Sequence, residues 1–254
     1  MVQRQYALDI LEKYGMTACK PIDIPMDANT KLIDDGNYVE DVTMYRKMVG
    51  SFIYFTIIRS YLSYVAGIVS QFMQSPCKRH LDAVKRILRY VKTTCIYGLR
   101  YEKGKEFMMY GYTDADWAGN MMDRRSTSGY AFTIGSAKIT WSSKKQPTVA
   151  LSSTEAEYRG IAMAACEETW LRTLLYDLGI EIDESVIMYC DSVSSIMLAK
   201  NPIYHACTKH TEVHYHYVRE KVVSGEIDLV YVKTNAQVAD IFTKALGRDK
   251  FQFF

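Results

Sequence analysis

The order of strand-like and helix-like segments after about residue 97 most constrains the fold of this chain. Four strand-like segments with glycine-containing turns come first, and the pattern then alternates between helix and strand. Hairpin strands followed by a helix–strand–helix–strand order favour an α/β fold with a mixed sheet. We predict strands at 97–103, 106–116, 129–135, 137–143, 185–191 and 227–232, and helices at 153–178, 192–200, 208–224 and 236–245.

The N-terminal part of the chain is helical in pattern and lacks this alternation. The segment YALDILEKYGM carries apolar residues at helical spacing and ends at Gly15, a residue type typical of helix C-caps. A polar connector occupies 18–42, and a helical region with a break near Ser60 follows over 43–74. The change in pattern places a domain boundary between 95 and 105.

The segment SPCKRHLDAVKRILRYVKTT predicts a helix with an apolar stripe and a basic surface. Ser75 is the predicted N-cap and Pro76 the first helical residue. Six basic residues against one acid cover much of the surface outside the stripe. A solvated helix face explains this charge as well as contact with phosphates does. The residues of this helix predicted to bind nucleic acid are Lys85, Arg86 and Arg89.

The composition limits the size of the fold and its cellular setting. At 254 residues, of which 48% are hydrophobic, the chain can form one large domain or two small ones around a sizeable core. The net charge is only +2, so binding to a polyanion must come from local patches. The six cysteines are scattered without a CxxC spacing, which favours buried free thiols in a reducing compartment.

No segment of the sequence is typical of a secretory signal peptide or a membrane span. The most apolar stretch, MVGSFIYFTIIRSYLSYVAGIV, is interrupted by Arg59 and by polar residues, so it falls short of the roughly 18 apolar residues that a span needs. We therefore predict a core helix in this stretch, an intracellular protein and no membrane partner.

Four carboxylates stand at strand ends or on a helix in the second half of the chain. Asp114 follows the strand-like FMMYGYT, Asp191 ends the apolar run VIMYC, Glu157 lies in the first turns of a long helix, and Asp240 begins DIFTKAL. Carboxylates gathered at one sheet edge repel each other unless cations neutralise them. Hard oxygen ligands of this kind suit Mg²⁺ or Mn²⁺, and a pair of such metals is the usual machinery for phosphodiester cleavage.

Each acid also has an ordinary structural explanation. Asp114 shares a sheet face with Asp116, and either could be a turn-forming residue before Gly119. Asp191 could be the N-cap of the next helix, and Asp240 a first-turn acid that favours the helix dipole.

Glu157 has to be separated from its neighbour Glu155. The spacing Ser152-x-x-Glu155 is a capping box, which explains Glu155 without catalysis. Glu157 lies roughly 200° further around the helix, on a largely apolar face where a carboxylate is costly unless it is paired or metal-bound. The pattern favours a metal ligand and an ordinary surface glutamate equally.

The segment TKHTEVHYHYVRE contains two histidines at zinc-like spacing, His210 and His214. It lacks the glutamate of an HExxH motif, and no third ligand stands close by. Surface or helix-packing histidines are the favoured explanation, with a zinc site as the alternative. Because a histidine near a cleaved phosphate can assist proton transfer, His210 is a candidate auxiliary residue.

Basic and aromatic residues also cluster around the predicted hairpins. Bases next to aromatic rings suit nucleic acid, although core packing is the better explanation for Trp117 and Trp141. The bases predicted to line a groove are Arg124, Arg125, Lys144 and Lys145.

Taken together, several strings resemble the end of the pol polyprotein of copia-type LTR retrotransposons. They are YTDADWAGN, DRRSTSGYAFTIG, ITWSSKKQPTVALSSTEAEY, MYCDSVSSIMLAKNP, TKHTEVHYHYVRE and QVADIFTKAL, in matching order and spacing over 111–246. The resemblance implies a ribonuclease H-like fold: a mixed five-stranded sheet flanked by helices. It further implies that the metal-binding catalytic acids are Asp114, Glu157, Asp191 and Asp240.

The upstream strings TMYRKMVGSFIYFTIIRSYLSYVAGIVSQFMQSP and HLDAVKRILRYVKTT resemble the thumb and connection region of the same polyprotein. The resemblance thus implies a mainly helical thumb/connection segment over 1–100 and a ribonuclease H-like domain over 101–254. The implied activity is endonucleolytic hydrolysis of the RNA strand of RNA–DNA hybrids with Mg²⁺ or Mn²⁺. In an intact element the partners would be the upstream polymerase palm and fingers and the integrase, in cytoplasmic virus-like particles or the nucleus.

The chain departs from that family's pattern at several points. No Tyr-x-Asp-Asp motif is present, so we expect no polymerase activity from this fragment alone. IRSY stands at 58–61 where the family usually reads Thr-Arg-Pro-Asp, and Ser192 stands where Asn is common. The chain ends at KFQFF, where we expect a helix to continue in an intact element. The alternative to an active nuclease is therefore an inert remnant that at most binds nucleic acid.

Overall fold

The computed structural model describes residues 1–201 and 212–254, and it divides into two compact units. The first unit comprises Met1–Arg100 and Lys244–Phe254, and the second comprises Tyr101–Thr243. The assignment of a thumb/connection segment and a nuclease domain to 1–100 and 101–254 stays a prediction.

The first unit is a helical bundle around one core. Aromatic and aliphatic side chains fill this core, including the fully buried Tyr45, Phe52 and Leu88. The predicted apolar stripe of the basic helix is buried there, because its residues recur on one face at helical spacing. The helices are α1 (Arg4–Lys13), α2 (Val42–Phe55), α3 (Ser63–Ser70), α4 (Lys78–Thr93) and a final helix, Arg248–Phe253.

The predicted break near Ser60 is present between α2 and α3. A 3-10 turn, Ser60–Leu62, occupies it, and the preceding Arg59 is fully buried. The Arg59 guanidinium donates to the carbonyl of Cys95 at 3.1 Å and lies 5.0 Å from the ring centre of Phe55. These contacts give the buried charge a polar partner and an aromatic face, as a buried cation requires.

The predicted N-cap of α4 was wrong. The helix begins two residues later than expected, and its N-cap is Cys77 in extended backbone conformation. The residues on either side of Cys77 pair with the connector: Val39 N donates to Pro76 O at 3.0 Å, and Lys78 N donates to Asn37 O at 2.8 Å. This long-range pairing keeps the chain extended through Cys77, which local capping preferences at Ser75 do not reveal.

The second unit contains the predicted mixed five-stranded sheet flanked by helices. The strand order is β3-β2-β1-β4-β5, in which β1, β2 and β3 run antiparallel and β4 and β5 run parallel to β1. The strands are β1 (Met109–Asp116), β2 (Thr127–Ile134), β3 (Ala137–Lys145), β4 (Val186–Cys190) and β5 (Ile227–Tyr231), and the helices are α5 (Ser153–Asp177), α6 (Val193–Lys200) and α7 (Glu212–Val223).

Two of the predicted elements in this part of the chain were wrong. The segment 97–103 forms only an isolated bridge between Gly98 and Val2, because the residues from 101 to 108 are all exposed and bury no strand face. The predicted helix over 236–245 is instead a pair of 3-10 turns, Thr234–Ala236 and Val238–Phe242.

Burial of the thiols differs from the prediction at one exposed position. Cys77 and Cys190 are buried, Cys19 and Cys95 are half-buried, and Cys166 is exposed on α5; all five are free thiols. Cys207 lies outside the described residues. In the part of the chain that the structure covers, no helix has the length and apolar character needed to cross a membrane.

Candidate metal centre

Asp114 lies near the end of the central strand β1, and its side chain is buried. The hydroxyl of Thr243 donates a hydrogen bond to Oδ2 of Asp114, and Thr243 is fully buried as well. Asp114 is paired across the sheet with Gly129 of β2. A Cβ at Gly129 would lie 2.6 Å from Cβ of Phe242 and 2.9 Å from Cγ2 of Thr243, so glycine permits the close approach of this segment.

Asp116, the alternative to Asp114, has a place in the turn that follows β1. Its carboxylate lies beside Gly119, where a Cβ would be 1.8 Å from Oδ2 of Asp116. The backbone N–H of Gly119 donates to the carbonyl of Asp116 at 3.4 Å. Asp116 therefore has the features of the turn-forming aspartate that the sequence offered as an ordinary explanation for one of the two residues.

Glu155 has the structural contacts of a helix-capping residue. Ser152 is the N-cap of α5 and accepts from Glu155 N at 3.1 Å. The Glu155 carboxylate accepts from Leu151 N at 2.7 Å and pairs with Arg159 at 2.7 Å. It therefore reaches one residue beyond the N-cap, instead of closing the box on Ser152 itself.

Glu157 lies on a different face of α5 and is half-buried. Ile161 and Ala164, one and two turns further along the same face, are buried in the core between α5 and the sheet. Its carboxylate belongs to a compact group with Cys190 and Asp191, in which one ligand atom of each residue lies within 4.8 Å of the others.

Asp191 directly follows β4, and it is not the N-cap of α6. Ser192 is that cap, and its hydroxyl accepts from Ser195 N at 3.3 Å. Ser195 in turn donates to Thr154 O at 3.2 Å, which holds the start of α6 against the start of α5. One oxygen of Asp191 accepts from the hydroxyl of Thr234 at 2.9 Å.

Asp240 is fully buried within the 3-10 turn Val238–Phe242. Two fully buried side chains anchor this turn to β1. The amide nitrogen of Gln237 donates to Thr113 O at 2.9 Å, and the hydroxyl of Thr243 bridges Asp114 and the carbonyl of Asp240, the latter at 3.2 Å. The same turn therefore carries Asp240 and a donor to Asp114.

The pKa of Cys190, the last residue of β4, is affected by three of the four acids. Burial raises the pKa of Cys190 far above its usual range, and the negative charges of Glu157, Asp191 and Asp114 raise it further. A thiol whose pKa is raised is a weak metal ligand, so the candidate donors in this group are the carboxylate oxygens of Glu157 and Asp191. Such a donor set fits Mg²⁺ or Mn²⁺, whereas zinc and softer ions favour a thiolate.

A second acidic group lies in the first unit, formed by Asp34, Asp35 and the buried Cys77. Asp35 is already close to a cation, because Nε of Arg79 lies 3.5 Å from its carboxylate. Hydrogen bonds from Asn37 N and from Cys77 hold the pKa of Asp35 below its ordinary value. This group has the contacts of a loop anchor at the start of α4.

The basic residues of α4 that were predicted to bind phosphates have partners inside the first unit. Arg86 pairs with Asp27 at 2.9 Å, and Arg89 donates to Lys20 O at 2.7 Å. Both bonds attach the connector to α4. Lys85 is exposed. The nucleic-acid role of these three residues stays a prediction.

In the second unit, the predicted basic groove residues differ in their surroundings. Arg124 and Lys144 are exposed, while Arg125 and Lys145 lie 3.7 and 2.8 Å from the carboxylate of Asp123. Partial burial acts to raise the pKa of Asp123, but Lys145 and Arg125 outweigh it and lower the pKa.

The tryptophans and histidines singled out in the sequence also differ in their surroundings. Trp117 is 48% exposed, although its indole nitrogen donates to Ala150 O at 3.1 Å, and Trp141 is half-buried. His214 is exposed and belongs to neither acidic group found in the described part of the chain. His210 lies outside the described residues.

Sequence reasoning missed the polar residues that support the acids. These are Thr234, Gln237 and Thr243 around Asp240, together with Ser195 and Cys190. The signal available was the unusual number of polar side chains flanking the apolar positions in TNAQVADIFTK.

The mixed sheet and its flanking helices define a ribonuclease H-like fold. No family model matches the chain. The chain is 43% identical over 253 residues to the retrovirus-related Pol polyprotein from transposon RE1 of Arabidopsis thaliana; the aligned residues cover 99% of this chain and 17% of that polyprotein. It is 39% identical over 260 residues to the one from transposon TNT 1-94 of Nicotiana tabacum, covering 98% and 19%.

Among solved structures, LC11-RNase H1 in complex with an RNA/DNA hybrid is similar with a TM-score of 0.42 and 16% identity, over 53% of this chain and 93% of that one. The chain belongs to the family of retrovirus-related Pol polyproteins of copia-type retrotransposons. It spans less than a fifth of the length of these two polyproteins.

Proposed function

We propose that this chain is a metal-dependent endonuclease that hydrolyses the RNA strand of RNA–DNA hybrids. The observation that carries the proposal is the group formed by Glu157 and Asp191, whose carboxylate oxygens lie within 4.8 Å of each other and of the Cys190 sulfur. The negative charge of Asp114 also raises the pKa of the Cys190 thiol. Two carboxylate oxygens held this close offer a set of hard oxygen ligands of the kind that a divalent cation prefers.

In this proposal the four acids have different roles in metal binding. Asp114 and Asp191, at the ends of adjacent parallel strands, carry most of the metal binding, while Glu157 and Asp240 each complete one site. Two bound Mg²⁺ ions would activate a water molecule and stabilise the leaving 3′ oxygen. The rigid sheet fixes Asp114 and Asp191, and the anchored 3-10 turn fixes Asp240, so the ligands are held in place before substrate arrives.

The proposed substrate is recognised by shape and 2′-hydroxyl groups rather than by base sequence. The exposed Arg124 and Lys144 would supply phosphate contacts from the second unit, and Lys85 with its neighbours Arg86 and Arg89 from α4. In an intact polyprotein, the palm and fingers of the polymerase and the integrase would be covalent partners. Such contacts predict hybrid binding that weakens steeply with salt.

The test is cleavage of a labelled RNA–DNA hybrid in Mg²⁺ by the purified chain. Asp114→Asn and Asp191→Asn should abolish cleavage, whereas the matched control Asp116→Asn should retain it, because Asp116 serves the turn before Gly119. Salt-dependent binding of the hybrid without cleavage, in a parent chain that unfolds cooperatively, would instead support the inert remnant. Equal activity of Asp114→Asn and the parent would overturn the proposed site.

A further inference from the structure

The segment that carries Asp240 also supplies hydroxyl donors to two of the other acids. Thr243 donates to Oδ2 of Asp114, and Thr234 donates to Oδ2 of Asp191 at 2.9 Å. Asp114 and Asp191 are far from these threonines in sequence, so the contacts exist only because the segment packs against the ends of β1 and β4. The two threonines lie on either side of Asp240.

A hydrogen bond to one oxygen of a carboxylate fixes the rotation of that group, and hence the direction of its second oxygen. At Thr243 the constraint is strong, because Thr243 is fully buried; its single hydroxyl proton is directed at Asp114, and the carbonyl of Asp240, 3.2 Å away, is a weaker second acceptor. Its methyl group packs against Gly129, where a Cβ would lie 2.9 Å from Cγ2. Packing therefore holds the threonine in the rotamer that directs the hydroxyl at Asp114.

We infer that Thr243 and Thr234 are positioning residues that orient Asp114 and Asp191 toward a divalent cation. Thr243 is the dominant one, because it is buried and joins Asp114 to the backbone of Asp240. The inference rests on the proposed function insofar as these acids bind a metal. It adds residues that support the ligands without touching the metal or the substrate.

Two substitutions at Thr243 separate the hydroxyl from the packing. Thr243→Val keeps the shape and the contact with Gly129 but removes the donor, while Thr243→Ser keeps the donor and removes the methyl group. Thr234→Val gives an exposed counterpart that should fold regardless. Thr173→Val, on the exposed face of α5 and about 24 Å along the helix from Glu157, is the matched control.

The readout is the thermal unfolding midpoint during titration with Mg²⁺ or Mn²⁺, because an ion that binds only the folded state raises it. Thr243→Val should need about 10-fold more metal than the parent for the same rise, within the loss typical of groups that orient a ligand. Thr234→Val should need a smaller excess. Thr243→Ser keeps the donor but loses the packing of the methyl group, so it should need less metal than Thr243→Val. Thr173→Val should follow the parent curve, even where its metal-free midpoint differs.

Four outcomes would overturn the inference. Identical metal dependence of Thr243→Val and the parent would show that the Thr243 hydroxyl does not orient a ligand. If Thr243→Val does not unfold cooperatively, a parent-like curve for Thr234→Val would overturn the inference instead. Equal weakening in Thr243→Val and Thr243→Ser would assign the effect to packing. A parent chain that does not respond to metal would remove the metal site as well, which distinguishes failure of the proposed function from failure of the positioning role alone.

Discussion

Glu157 and Asp191 bring a carboxylate oxygen each to within 4.8 Å, although one lies on α5 and the other follows β4. Ser195 lies close to this group, and its hydroxyl joins the start of α6 to the carbonyl of Thr154 at the start of α5 at 3.2 Å. Two residues before Glu157, Glu155 has an ion pair and a backbone donor of its own. Because these two glutamates on one helix have different surroundings, we expect their substitution to affect different properties of the protein.

Glu157→Gln and Glu155→Gln should separate catalysis from stability. We expect Glu157→Gln to lower cleavage of an RNA–DNA hybrid by more than about 100-fold, since losses of about 10- to 100-fold are typical even for groups that only support a ligand. Glu155→Gln should leave cleavage near the parent value but lower the free energy of unfolding by about 1 kcal/mol, because the pair with Arg159 is lost. Steady-state cleavage rates and urea unfolding measure both effects; a larger activity loss in Glu155→Gln would contradict the assignment.

Cys190→Ala should leave the preference for Mg²⁺ or Mn²⁺ intact. Because burial and the surrounding carboxylates raise the pKa of Cys190, we expect its thiol to be a weaker ligand for the ion than the carboxylate oxygens beside it. The variant should bind Mn²⁺ with an affinity within a few-fold of the parent, apart from a stability loss of about 1 kcal/mol from the lost core volume. Isothermal titration with Mn²⁺ and with Zn²⁺ measures this. Loss of tight Zn²⁺ binding in the variant alone would show instead that the thiol is a ligand.

Gly129→Ala should disturb the segment that carries Asp240. The added Cβ would lie 2.6 Å from Cβ of Phe242, so the 3-10 turn must shift away from β2. We expect the free energy of unfolding to fall by about 1–3 kcal/mol, as for other overpacked sites. Gly50→Ala in α2 is the control: nothing lies within 4 Å of the new Cβ, and the change should stabilise the chain by about 0.5–1 kcal/mol. Urea unfolding of both variants tests the pair, and a neutral Gly129→Ala would argue against the close contact.

Glu168 should make stability depend on pH. This carboxylate is fully buried on α5 beside Arg172 at 2.9 Å, and burial raises its pKa above 4.5 despite the opposing effect of that arginine. The folded state therefore keeps a proton that the unfolded chain loses, so the contribution of Glu168 to stability falls as pH rises from about 4.5 through the folded pKa.

Glu168→Gln, which cannot titrate, should remove this dependence. The free energy of unfolding of the variant minus that of the parent should increase with pH between 4.5 and neutral, as measured by urea unfolding at a series of pH values. A difference that stays constant over this range would show that Glu168 has the same pKa in both states. A difference that decreases would mean that the pair with Arg172 lowers the pKa instead.

Local patterns in the sequence determined the elements whose burial follows a simple period. The strands of the sheet and the helices α5 and α6 lie close to their predicted ranges, because alternating or helical spacing of apolar residues reflects which face is buried. The cap of α5 at Ser152 is also local, since its donor and acceptor lie three residues apart. The same local reasoning left Asp114 and Asp116 equivalent.

Only the tertiary structure decided the contacts between residues that are distant along the chain. Thr243 and Asp114 are separated by 129 positions, and their hydrogen bond depends on the packing of the last turn over Gly129. Pairing of the connector with Pro76 and Lys78 likewise moved the start of α4. The sequence determined which residue types can form these elements and supply carboxylates, whereas the packing of separate segments determined which carboxylates meet, because hydrogen bonds and close contacts depend on distances that no local pattern contains.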